Sequence, residues 1–79
     1  MFEIGKILVI DNMDYVIASK TLCDDKIYLY LVNNKNEFMF CYVDGEDVVE
    51  ISNIDEYDMI IPLLANEAIK YLNENKKGN

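Results

Sequence analysis

The sequence predicts one α+β domain: about five antiparallel strands in a meander, followed by a single C-terminal amphipathic helix. Three observations lead there. Ile27 to Val43 reads as two β-prone runs around Asn33-Asn34-Lys35-Asn36, a hairpin signal. Turn-forming residues recur every ten to twelve residues or so up to Gly45, the spacing of a sequential meander. At Ser52 the apolar period changes from two to about 3.6, the period of a helix.

Taken in order, Ile4 to Ile10 is the first expected strand, interrupted by Gly5 and Lys6. Asp11-Asn12-Met13-Asp14 follows as a tight turn, because Asp and Asn tolerate left-handed backbone. Tyr15 to Thr21 is the second strand, with Tyr15, Ile17 and Ser19 on one side and Val16, Ala18 and Lys20 on the other. Cys23 to Lys26 is the next turn. With Asn33 to Asn36 as the loop, Leu31 faces Phe38, Leu29 faces Phe40 and Ile27 faces Tyr42, while Tyr30 meets Met39 and Tyr28 meets Cys41. Both faces of that hairpin are apolar or amphipathic, so the rest of the chain or a partner must cover them. A curled, partly open SH3-like barrel would do so. Asp44-Gly45 marks the last turn, and Val48 to Ile51 is a short fifth strand.

Asn53 reads as a helix N-cap, with Glu56 three residues later as in a capping box. Ile54, Tyr57, Ile61, Leu64, Ala68 and Leu72, widened by Ile60, Ala65 and Tyr71, form the expected buried stripe. Met59 and Leu63 fall opposite it, one turn apart. Pro62 removes one helical hydrogen bond and crowds the Asp58 carbonyl, so the helix is expected to kink or break there. Residues 1–75 make the domain and 76–79 a frayed tail.

The chain carries 15 acids against 7 lysines, for a formal charge of −8, and contains neither Arg nor His. Nine of those acids, and no lysine, lie between Asn36 and Ile69. Such a surface repels nucleic acid and anionic membrane, whose recognition rests on Lys and Arg, and favours a basic protein partner. No leader and no membrane-length apolar run is visible, which suggests a cytoplasmic protein. Cys23 and Cys41 then read as reduced thiols without metal-ligand spacing, Cys41 being a small apolar filler in a strand.

Catalytic parts are scarce. Without His the commonest general acid/base is missing, and without Arg so is bidentate phosphate or carboxylate recognition. Three glycines form no phosphate loop. Asp11, Asn12 and Asp14, or Asp44, Glu46 and Asp47, could offer metal oxygens, but neither set fits a calcium loop, so solvated turn acids are expected. No enzyme activity, cofactor or metal is expected. The candidate site is instead a partner-binding surface of Asp44, Glu46, Asp47, Glu50, Asp55, Glu56 and Asp58. A second, apolar candidate comprises Met59, Leu63, Tyr28 and Tyr30, for a partner or a second copy. The sharpest functional expectation is an inhibitor occupying a basic nucleic-acid-binding surface. The competing one is a homo-oligomeric housekeeping protein, a homodimer in its simplest form, whose acids only keep it soluble.

Gly5-Lys6-Ile7 leading to Asp11-Asn12-Met13-Asp14-Tyr15-Val16-Ile17, together with Ile60-Ile61-Pro62-Leu63-Leu64, resembles short acidic proteins of low-GC Gram-positive bacteria and their phages. That resemblance implies a β-meander followed by a helix and brings no site residues with it.

Overall fold

A computed structural model describes residues 2–76, with side chains to residue 74. Five antiparallel strands follow one another across one curled, half-barrel sheet: β1 (Ile7–Ile10), β2 (Met13–Cys23), β3 (Lys26–Asn33), β4 (Phe38–Asp44) and β5 (Asp47–Glu50). One helix, α1 (Ile54–Lys76), follows them among the described residues. The α+β reading holds. Of the expected tail, residues 77–79 lie outside the described residues, and the helix itself runs to Lys76.

Turn chemistry builds the meander. Asp11 and Asn12 both have positive φ (51 and 65), as do Asp24 and Asp25 (52 and 64), which is what the two-residue type I′ hairpin requires. Gly45, φ 66, takes the first place in the Gly45-Glu46 turn between paired Asp44 and Asp47. Gly5, φ 94, turns the N-terminal segment so that Phe2 and Ile4 pack on the sheet, and its N–H donates to the Ile17 carbonyl at 2.8 Å.

The β3–β4 register differs from the expected one by one residue. Tyr28 pairs with Tyr42, Leu29 with Cys41, Tyr30 with Phe40, Leu31 with Met39 and Val32 with Phe38. The cause is Asn33, which belongs to the ladder and not to the loop: its N–H donates to the Glu37 carbonyl at 3.0 Å. Its side-chain oxygen accepts from the Lys35 and Glu37 N–H groups at 2.9 and 3.0 Å, and Asn36, φ 62, completes a three-residue loop. A one-residue slip exchanges every cross-strand partner. Leu29 and Leu31 therefore share a face with Cys41 and Met39, and the aromatics Tyr28, Tyr30, Phe40 and Tyr42 share the other.

Strand β2 departs from simple alternation as well. A bulge lies between Ile17, opposite Leu31, and Ser19, opposite Tyr30. The extra residue, Ala18, changes the parity, so Ile17 and Ser19 face opposite sides of the sheet. Two cores result. Ile17, Leu29, Leu31 and Cys41 lie inside the curled sheet, with Phe2, Ile4, Leu8, Ile10 and Val48 against them. Tyr28, Ile51, Ile60 and Leu64 lie between the sheet and α1. Curling and the helix together cover the two apolar faces that a lone hairpin leaves open.

Asn53 caps α1 as expected, its side-chain oxygen accepting from the Asp55 N–H at 2.8 Å. The reciprocal half of the capping box is replaced, because the Glu56 carboxylate turns to the sheet. The helix is unbroken through Pro62, which is exposed. There the freed Asp58 carbonyl can be hydrated, which limits the cost of the missing N–H. The buried stripe is rotated from its expected position: Ile60 and Leu64 are fully buried, while Ile54, Ile61 and Leu72 are exposed. Ser19 explains the rotation. Its small side chain lets the helix backbone approach the sheet, and its hydroxyl donates to the Leu64 carbonyl at 2.6 Å in the interior.

Candidate partner-binding surface

Turns of an antiparallel meander alternate between the two ends of the sheet, so the Asp24-Asp25 turn and the Gly45-Glu46 turn share one end. That end gathers Asp24, Asp25, Asp44, Glu46 and Asp47, all exposed. Asp24 and Asp25 join the candidate surface here. Their signal in the sequence was the alternation of meander turns.

The remaining expected acids are spread differently. Glu50 is exposed on β5 opposite Cys41, and Asp55 and Asp58 are exposed on the first turns of α1. Glu56 is half-buried against the sheet: it accepts from the Tyr28 hydroxyl at 3.0 Å and lies 3.7 Å from the Lys26 ammonium. Lys26 also sits over the Tyr42 ring, 4.4 Å from its centroid. The lysine that opens β3 is thus directed toward the helix start, and Glu56 is a structural group rather than an open contact. With Lys26 about half exposed, the ion pair contributes roughly 0–1 kcal/mol.

The apolar candidates also need correction. Tyr28, 2 % exposed, is a core residue under α1 and cannot meet a partner in this fold. Leu63 is half-buried beside the main helix contact instead of opposite it. Met59 is partly exposed, and its sulfur accepts from the Cys23 thiol at 3.9 Å. Tyr30 alone of the four lines an open apolar groove of about 540 Å³. The sheet supplies Tyr30, Phe38 and Phe40 to it, and the helix supplies Tyr57, Ile61, Leu64, Ala65 and Ala68. The floor is a continuous aromatic set: Tyr30 stacks on Phe40 at 5.0 Å, and Phe38 and Tyr57 meet Phe40 edge-on at 5.7 and 5.4 Å. The groove escaped the sequence reading because it depends on the β3–β4 register and on the rotation of α1.

Two groups have shifted proton affinities. Burial first, then the hydrogen bond to Glu56 and its charge, pushes the Tyr28 hydroxyl up to about 12. Burial, reinforced by the Glu50 charge, pushes the Cys41 thiol up to about 11, so it is not a thiolate near neutrality and is a poor nucleophile. Both shifts act on stability in the same sense. The unfolded chain releases these protons near 9 (Cys41) and 10 (Tyr28), while the folded chain holds them to about 11 and about 12. Across that window the folded state binds more protons, so stability falls as pH rises. Urea midpoints measured from pH 9 to about 12 should therefore decline, and Tyr28→Phe should flatten the upper part of the decline. A profile unchanged by the substitution would contradict the Tyr28–Glu56 contact.

Among the described residues no group of three or more His, Cys, Asp or Glu side chains converges as metal ligands would. No helix among them is long and apolar enough to cross a membrane. Comparison with protein-family models, curated proteins and solved structures returned no match to this chain.

Proposed function

We propose that this chain is a non-catalytic, cytoplasmic binding module that occupies a basic surface of a protein partner. In its specific form it is an inhibitor that competes with nucleic acid for that surface. The observation that supports this reading is the sheet end bearing Asp24, Asp25, Asp44, Glu46 and Asp47, five exposed carboxylates on two adjacent hairpins whose nearby lysine is directed to Glu56. Short hairpins with paired ends hold such charges at fixed positions, and a fixed negative array speeds and orients association with a complementary positive groove.

Affinity capture from extract of a low-GC Gram-positive bacterium tests the reading. It should retrieve a basic, nucleic-acid-binding protein, and the complex should weaken steeply with salt. Asp24→Asn and Asp25→Asn, which keep the tolerance of positive φ, combined with Asp44→Lys, Glu46→Lys and Asp47→Lys, should abolish capture while the folded circular-dichroism spectrum is retained, because these side chains are exposed. Retrieval of partners indifferent to both salt and charge reversal would remove the proposal and leave the acids a solubilising role.

A further inference from the structure

The acidic sheet end accounts for attraction, but it offers little apolar surface on which a complex could be held. The aromatic groove does. We propose that it takes the apolar face of a cationic amphipathic helix contributed by a protein partner. This rests on the reading of the chain as a module for basic partners and adds where the partner is gripped.

Shape, exposure and charge support this occupant. The helix wall runs from Tyr57 to Ala68, about 17 Å at 1.5 Å per residue, which matches roughly three turns of a guest helix. Ala65 and Ala68 keep that wall low, so a helix carrying apolar residues at i, i+3, i+4 and i+7 can lie against it. Phe38, 62 % exposed, and Ile61, 43 % exposed, stand open at its two sides, where no intrachain packing uses them fully. Apart from Tyr30, every lining residue comes from the stretch between Asn36 and Ile69, which carries nine acids and no lysine. Asp58, exposed, shares the helical stripe of Ile61 and Ala65, whereas the Glu37 carboxylate accepts from the Asn33 amide at 2.9 Å on the other face of the sheet. A guest with lysines flanking its apolar face would meet the Asp58 carboxylate at the rim and aromatic faces on the floor, both of which attract cations. A second copy of this chain would bring a formal charge of −8 to the same rim, and is disfavoured on that count.

The test uses the full chain and two synthetic peptides made only of leucine and lysine, identical in composition. One places leucine at helical spacing; in the other the order is scrambled so that no helical face forms. Binding is followed by peptide fluorescence anisotropy and by amide chemical shifts of the protein. The helical peptide should bind at one to one, shift resonances of Phe38, Phe40 and Ala65, and lose about tenfold or more in affinity with Phe38→Ser or Ile61→Ser. An unchanged thermal melt in those variants would show that the fold is intact. Equal binding of the scrambled peptide, with shifts confined to the Asp24-Asp25 and Gly45-Glu46 turns, would overturn the groove and leave the acidic surface standing. Failure of the helical peptide to bind would overturn the groove proposal alone, the acidic surface being decided separately by the capture experiment. Concentration-dependent dimerisation that moves the same groove resonances would assign the groove to a second copy and overturn the proposal.

Discussion

Ile60→Ala is expected to lower the unfolding free energy by about 3 kcal/mol, and Ile61→Ala by less than about 1 kcal/mol. The adjacent isoleucines differ in their place on the helix: Ile60 is fully buried between α1 and the sheet, whereas Ile61 is 43 % exposed beside the groove. Truncating Ile60 removes buried methylene and methyl groups, and the site cannot collapse freely. Tyr28, Ile51 and Leu64 pack in the same cluster, and the Ser19 hydroxyl ties the helix backbone to the sheet. A domain of this length holds roughly 4–12 kcal/mol in total, so the Ile60 variant forfeits a large share of it. Thermal unfolding should show a fall of about 12–24 °C for Ile60→Ala. Equal effects at the two positions, or a larger one at Ile61, would mean that α1 is rotated toward the stripe centred on Ile61.

Deleting Ala18, by contrast, is expected to cost only about 1 kcal/mol or less, because it removes the bulge and leaves a regular ladder. The bulge lets Ile17 enter the core within the curled sheet while Ser19 faces α1. Without Ala18, Ile17 and Ser19 become neighbours in a regular strand and still face opposite sides, Ile17 opposite Leu31 and Ser19 opposite Tyr30. Ile17 therefore stays with Leu29, Leu31 and Cys41, and the Ser19 hydroxyl keeps its bond to the Leu64 carbonyl. Ala18→Gly keeps the residue count and should cost only about 1 kcal/mol. Urea denaturation of the two variants makes the comparison, and a deletion costing several kcal/mol more than the glycine variant would contradict this register and assign the bulge a role in the curl of the sheet.

Strand order, turn positions and the helix cap were legible because they rest on local chemistry. Asp and Asn at Asp11-Asn12 and Asp24-Asp25 mark hairpins through their tolerance of positive φ, and Asn53 marks the helix start through its side-chain acceptor. What escaped were quantities set by tertiary contact. Asn33 has the composition of a loop residue, yet its buried side chain organises the loop from inside the ladder, and this shifts the register by one. Nothing in Val16-Ile17-Ala18-Ser19 announces a bulge. The helix is apolar over a wide arc, from Met59 and Leu63 on one flank to Ile54 and Leu72 on the other, so its sequence leaves the buried direction open. Ser19 decides it, from forty-five positions away in the chain. The candidate surfaces follow the same division. The acidity of Asp44, Glu46 and Asp47 is plain in the sequence, but their union with Asp24 and Asp25 needs the meander, and the groove needs both the register and the rotation.

Nucleic-acid displacement from the captured partner tests the proposed function most directly. A labelled oligonucleotide is bound to that partner at about 0.15 M salt, and this protein is titrated in while fluorescence anisotropy is read. Competition predicts release of the oligonucleotide at one equivalent of protein, and no release by the variant carrying Asp24→Asn, Asp25→Asn, Asp44→Lys, Glu46→Lys and Asp47→Lys. A stable ternary complex, or release by the charge-reversed variant as efficient as by the wild type, would contradict it.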